Sequence, residues 1–130
     1  MSLNNPVLGE GYVPAYQISP VPFVISSTLT LGETKSYNFD FVTKSIFVQN
    51  TAPASSVISV GFTENGMKSS NANYLVLSGG QSFTHDIRTS AVFVSGSAGS
   101  PTFTLLAGLT NIPVKNFLTV TASNGYSGVG

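Results

Sequence analysis

Val57-Ile58-Ser59-Val60-Gly61-Phe62-Thr63 alternates large apolar residues with small or polar ones. Ile58, Val60 and Phe62 share one parity; Ser59, Gly61 and Thr63 share the other. Successive side chains of a strand point to opposite faces, so this stretch reads as a strand with one buried face. Glu64-Asn65-Gly66 follows at once. An Asn-Gly pair tolerates the positive φ of a type I′ turn, which predicts a hairpin here. Met67 to Ala72 is mostly polar and reads as a widening of that turn into a loop.

The same reading extends outward in both directions. Upstream, Phe23 to Leu31 carries Phe23, Ile25, Leu29 and Leu31 on one parity, and Gly32-Glu33 makes a turn. Tyr37, Phe39 and Phe41 then continue on a single face. Lys44 to Asn50 sets Ile46 and Val48 inward, or Phe47 if the register shifts at Val42-Thr43, and residues 51–55 are loop. Downstream come Tyr74 to Leu77, a turn at Gly79-Gly80, and Ser82 to Arg88 with Phe83, His85 and Ile87 together. Ala91 to Ser95, a loop from Gly96 to Pro101, Thr102 to Leu109 and Phe117 to Thr121 complete the series. Gly or Pro interrupts most windows that would otherwise carry a helical period. Eight or nine short strands predict an all-β fold, a two-sheet antiparallel sandwich with an aromatic-rich core. A jelly roll of two four-stranded sheets is the first choice. An immunoglobulin-like sandwich is the alternative, without the Cys…Trp…Cys signature of true immunoglobulin domains.

The ends differ from this middle. Residues 1–21 contain Pro6, Pro14 and Pro20 with Gly9 and Gly11 between them, a spacing that excludes a continuous helix or central strand. The same segment carries Leu3, Val7, Tyr12 and Tyr16, more apolar surface than a solvated arm usually has. It reads as an extended N-terminal arm packed along a partner or back on its own domain. Residues 22–121 are the expected sandwich, and residues 122–130 a Gly/Ser-rich tail with one aromatic, Tyr126. Leu3, Val7, Tyr12, Tyr16 and Tyr126 are therefore the expected interface residues.

Charge is the unusual quantity. Only 8% of the 130 residues are Asp, Glu, Lys or Arg, and the net charge is zero; ordinary domains carry about 25%. Such a surface resists association poorly, because net charge helps keep proteins apart. Four scattered lysines and Arg88 form no basic stripe, which argues against nucleic acid and against a polybasic membrane surface. No positively charged segment leads into an apolar run at the start, and no Asn-x-Ser/Thr sequon occurs. With no cysteine, thiol catalysis and disulfides are excluded.

A catalytic set is equally hard to assemble. His85 and Asp86 are adjacent, and adjacent strand residues face opposite ways. His85 therefore reads as a packed structural residue beside Phe83 and Ile87. Glu10, Glu33, Asp40, Glu64 and Asp86 are spread along the chain with no metal-ligand spacing. Gly79-Gly80 lacks the Lys-Ser/Thr of a phosphate loop, and Gly66 is followed by Met67. No catalytic, cofactor-binding or metal-ligating residue is assigned; the expectation is a non-enzyme without cofactor. Tyr12, Tyr16, Tyr74 and Tyr126 remain as outward aromatics suited to contact.

A Pro-punctuated arm, short Phe/Val/Ile strands, abundant Ser, Thr, Asn and Gly, and a Gly/Ser end together resemble the small β-sandwich structural proteins of icosahedral viruses and phages. Minor capsid, vertex (penton) and decoration subunits are of this kind. The resemblance covers the whole chain, with Met1 to Val21 as arm and Pro22 to Thr121 as sandwich. It implies a structural subunit located in the virion, with other capsid or shell proteins and copies of itself as partners. Gly61-Phe62-Thr63-Glu64-Asn65-Gly66 is no family motif, so no functional residue transfers. The alternative is a carbohydrate- or receptor-binding sandwich of a fibre or spike, which predicts a concave patch where a Tyr meets Asn or Asp.

Overall fold

A computed structural model describes residues 20–53, 55–68, 70–99, 101–116 and 128–129. Among these residues eight strands follow one another: β1 (Val21–Thr28), β2 (Thr34–Asn38), β3 (Phe41–Asn50), β4 (Val57–Gly61), β5 (Tyr74–Ser78), β6 (Ser82–His85), β7 (Ala91–Ala98) and β8 (Thr102–Pro113). They form two four-stranded antiparallel sheets, sheet 1 in the order β1-β8-β3-β6 and sheet 2 in the order β2-β7-β4-β5. The pairing is nested: β1 lies beside β8, β2 beside β7, β3 beside β6 and β4 beside β5.

Alternation decides what lies between the sheets. The register of β3 shifts between Phe41 and Thr43 and again between Thr43 and Ser45. After those shifts Ile46 and Val48 face inward, and Phe47 faces out. Ile46 and Val48 meet Ile58, Val60, Val92, Val94, Phe103 and Leu105 in a fully buried core. Burying each such side chain contributes about 1.5–3 kcal/mol.

The two long edges of the sandwich are finished differently. At the β1–β2 edge, Phe23 stacks edge-on to Phe39 at 5.0 Å between ring centroids, and Tyr37 meets Phe103 at 6.1 Å. Lys35 Nζ donates to Ser27 Oγ at 2.6 Å, tying β2 to β1 across the gap between sheets. Burial there pushes the Tyr37 hydroxyl above its ordinary value, and a hydrogen bond with Ser27 opposes it. Asn50 makes a second tie. It is fully buried at the end of β3; its Nδ2 donates to Leu77 O of β5 at 3.1 Å and to Ser56 O at 3.2 Å. The β5–β6 edge carries no comparable aromatic stack among the described residues.

Several sequence expectations are corrected. Asn65-Gly66 is not a type I′ turn: Asn65–Met67 is a short 3-10 helix inside a long β4–β5 connection, and Gly66 does not have a positive φ. The glycine is needed for close approach instead, since a Cβ there would meet Val129 O and stand 2.8 Å from Thr63 Oγ1. Phe41 does not share a face with Tyr37 and Phe39. It begins β3 in the other sheet, after the bend at Asp40, and is 41% exposed. Leu31 lies in the β1–β2 turn, exposed, and β8 runs on to Pro113. The expected strand from Phe117 to Thr121 falls outside the described residues, as do the arm before Pro20 and most of the tail.

Candidate functional site

The connections sort to two ends. Val21, Asn38, Phe41, Gly61, Tyr74, His85, Ala91 and Pro113 stand at one end, where the chain enters β1 and leaves β8. This terminal end gathers most of the scarce charge: Asp40, Lys44, Glu64, Lys68, Asp86, Arg88 and Lys115. Only Glu33 and Lys35 among the described charged residues stand towards the other end. There the Thr30 N–H donates to Glu33 Oε1 at 3.0 Å and the Thr30 hydroxyl donates at 3.3 Å. That backbone hydrogen bond, with Lys35 nearby, holds the Glu33 carboxyl below its ordinary value of 4.5. The group stabilises a turn and faces no cleft.

His85 pairs with Ile46 in the ladder and so shares the inward face with Phe83, whose ring centroid lies 6.3 Å away. It is nevertheless exposed, which corrects the expectation of a packed residue. The cause is its position on β6, the outermost strand of sheet 1, at the uncovered edge. Its Nδ1 accepts the backbone N–H of Asp86 at 3.1 Å. The contact runs to the backbone of Asp86, which leaves no carboxylate–imidazole pair of the kind a general base uses. Among the described residues no three His, Asp or Glu side chains stand close enough to hold a metal ion.

Two concavities stand out among the described residues. The first, of about 350 Å³, lies where the β5 and β6 edges part at the terminal end. Val60, Phe62, Leu75, Phe83 and Ile87 line it, with Asn73, Tyr74 and Gly128 at its margin. Leu75 keeps the inward parity of β5 yet is 40% exposed, because β5 is the outermost strand of sheet 2. The cleft is a mouth of the hydrophobic core. It brings Tyr74 beside Asn73, and Val60, Phe62, Leu75, Phe83 and Ile87 make the larger part of its wall apolar.

The second, of about 360 Å³, lies on the outer face of sheet 2. The β4–β5 connection folds back over that face. Met67 covers Gly61, where a Cβ would stand 2.5 Å from the Met67 Sδ. Thr63 fixes the fold-back: its hydroxyl donates to Val129 O at 2.7 Å and accepts the Gly66 N–H at 2.9 Å. Thr34, Ser36, Phe93, Glu64, Met67 and Lys68 form the resulting groove, a ring face among hydroxyls and two opposite charges.

The expected interface residues Leu3, Val7, Tyr12, Tyr16 and Tyr126 all fall outside the described residues. Sequence reading located neither, although the binding alternative calls for a concave patch where a Tyr meets Asn, and Tyr74 and Asn73 both line the first. The signal for the first was present in Phe62 and Ile87, inward-parity apolar residues just beyond the ends of β4 and β6.

No family model matches the chain, and no curated protein matches it in sequence. Among solved structures it is similar to a de novo designed double-stranded β-helix, with TM-score 0.42 and 14% identity over 65% of this chain and 96% of that one. A pilus protein of Bacillus endospore appendages gives TM-score 0.39 and 18% identity over 70% and 89%. The capsid of Helicobacter pylori bacteriophage KHP30 gives 0.34 and 10% over 72% and 90%. These likenesses are diverse and distant, and they carry no argument about what this chain does.

Proposed function

We propose that this chain is a jelly-roll structural subunit of a viral capsid or comparable protein shell, of minor capsid, vertex or decoration type. It acts by contact with other shell proteins and with copies of itself, without catalysis. The nested pairing of β1 with β8 through β4 with β5 supports the jelly-roll reading, since two wrapped Greek keys produce that order.

One observation carries the functional reading. Val21, Val24, Leu31, Phe41, Leu75, Val76 and Leu106 are all at least 39% exposed in a chain with only 8% charged residues. Scattered apolar residues are ordinary on a monomer, but charge and hydration normally surround them. Around Val24 and Leu106 hydroxyls and amides do so, which favours a molecule that spends its working life covered. An antibody against the chain should label intact particles purified from the source, and the chain should remain with them through gradient sedimentation. A chain found only in the soluble fraction, absent from every particle, would sink the reading.

The groove on sheet 2 favours a second reading, carbohydrate or receptor binding at a fibre or spike. Phe93 offers a stacking face and Thr34, Ser36, Glu64 and Lys68 offer hydrogen bonds. A glycan array answers it: binding lost in Phe93→Ala supports it, and an array blank for the wild-type chain removes it.

A further inference from the structure

The outer face of sheet 1 carries an apolar row across three of its four strands, ending at Thr84 of β6 opposite Phe47. Val24 of β1 stands opposite Leu106 of β8, and Leu106 stands opposite Phe47 of β3. Val24 is 63% and Leu106 39% exposed. The next row towards the far end is polar but uncharged: Ser26, Thr104 and Gln49. Its hydroxyls partly satisfy one another, Ser26 Oγ and Thr104 Oγ1 lying 3.0 Å apart, and beyond them Thr51 and Thr102 pair at 2.8 Å. Covering such groups strands fewer hydrogen bonds than covering free hydroxyls does. Towards the terminal end, Pro20 lies against Gly108 and bounds the row.

Charge is nearly absent from this sheet. Its four strands contain one lysine, Lys44, and one histidine, His85; neither lies in the apolar row or the polar row beside it. An apolar centre with a polar, uncharged rim is the anatomy of a protein interface. A partner selected by charge would find nothing to pair with, whereas a second copy presents the same apolar row. Four strands about 4.8 Å apart and about eight residues long give a face of roughly 500 Å². Two such faces reach about 1,000 Å², the lower bound of a specific interface.

We propose that the outer face of sheet 1 is a self-association surface, on which a second copy packs face to face about a two-fold axis near Leu106. The contact names one partner for the shell reading and rests on it. Its size makes it a weak contact that gains strength through repetition in an assembly. In a two-fold contact, the residue nearest the axis meets its own counterpart.

Because the chain has no cysteine, this geometry is directly testable. Under mild oxidation, full-length Leu106→Cys should form a disulfide-linked dimer, and Val76→Cys on the outer face of sheet 2 should not. Sedimentation equilibrium should show the wild-type chain dimerising reversibly. Leu106→Glu should weaken that dimer at least tenfold and Val76→Glu leave it unchanged, with both variants melting like the wild type. A wild-type chain that stays monomeric at about millimolar concentration overturns the proposal, as does association that persists unchanged in Leu106→Glu. So does cross-linking equal at both cysteine positions. Particle labelling decides the shell reading independently: labelled particles with no 106–106 cross-link remove this surface and leave that reading in place.

Discussion

The two outer faces of the sandwich are built from similar strands and end as different surfaces. Both are rich in Ser and Thr, and both carry an apolar side chain near the middle, Leu106 in sheet 1 and Phe93 in sheet 2. Sheet 2 is overlaid by its own β4–β5 connection, which sets Met67 on Gly61 and brings Glu64 and Lys68 to the groove. Among the described residues no connection overlies sheet 1 in that way. A connection that folds back thus converts an associating face into a recessed one with charge at its rim. Local alternation alone does not determine whether an exposed sheet face is sticky; the long connection does.

The largest change should come from releasing the tie that holds the two faces in one body. Asn50 is fully buried and links β3 of sheet 1 to Leu77 O of β5 in sheet 2, while its Oδ1 accepts the Ala52 N–H at 3.1 Å. Asn50→Ala leaves three buried backbone groups without that partner, and each such loss costs about 1–3 kcal/mol. A destabilisation of about 3–4 kcal/mol in urea unfolding is expected. A loss under about 1 kcal/mol would mean that the sheets hold together by apolar packing alone.

A smaller effect separates the faces themselves. Gly66→Ala drives a methyl group against the Val129 carbonyl and Thr63 Oγ1, so the connection must lift. Overpacking of this kind costs about 1–3 kcal/mol. Sheet 2 should then bind a fluorescent apolar dye and be cleaved by protease between Phe62 and Asn73, while sheet 1 behaves as before. Unchanged dye binding would show that the connection does not shield Phe93. Salt discriminates more finely. Self-association through sheet 1 should hold or strengthen from low salt to about 1 M, because no exposed ion pair is there to screen. A contact that dissolves with salt would place it at the charged terminal end instead.

Much of this architecture was legible in the sequence, and the reasons for the rest are physical. Parity placed Ile46, Val48, Ile58, Val60 and Phe83 correctly because a sandwich buries one face of every strand. The register does shift around Val42-Thr43, yet Phe47 does not turn inward with it, because a second shift before Ser45 leaves Ile46 and Val48 on the core side. Asn65-Gly66 misled because glycine serves close approach as readily as positive φ, and sequence alone does not distinguish the two. His85 was misread because parity gives the side of a sheet and not whether a neighbouring strand covers it. The cleft between β5 and β6 was not visible for the same reason. It depends on which strands end up outermost in each sheet, which no single segment encodes.

The smallest expected effect concerns Glu33, a carboxylate held by defined hydrogen bonds. The Thr30 N–H, Lys35 and the Thr30 hydroxyl all favour ionised Glu33, so its folded-state value lies below 4.5. A carboxyl whose pKa is lowered by folding stabilises the native state above its unfolded value, and that contribution disappears as pH falls through the folded value. The wild-type urea midpoint should therefore drop slightly on acidification below about pH 4.5. Glu33→Gln should start lower at neutral pH and lose less across that window. Glu33 belongs to the turn leading into sheet 2, while the apolar row of sheet 1 contains no titratable group. Dimerisation through sheet 1 should not follow the same curve. If association weakens in step with the midpoint, and does so equally in Glu33→Gln, the contact must include Asp86 or another acid of the terminal end. The two-fold axis would then have to move away from Leu106.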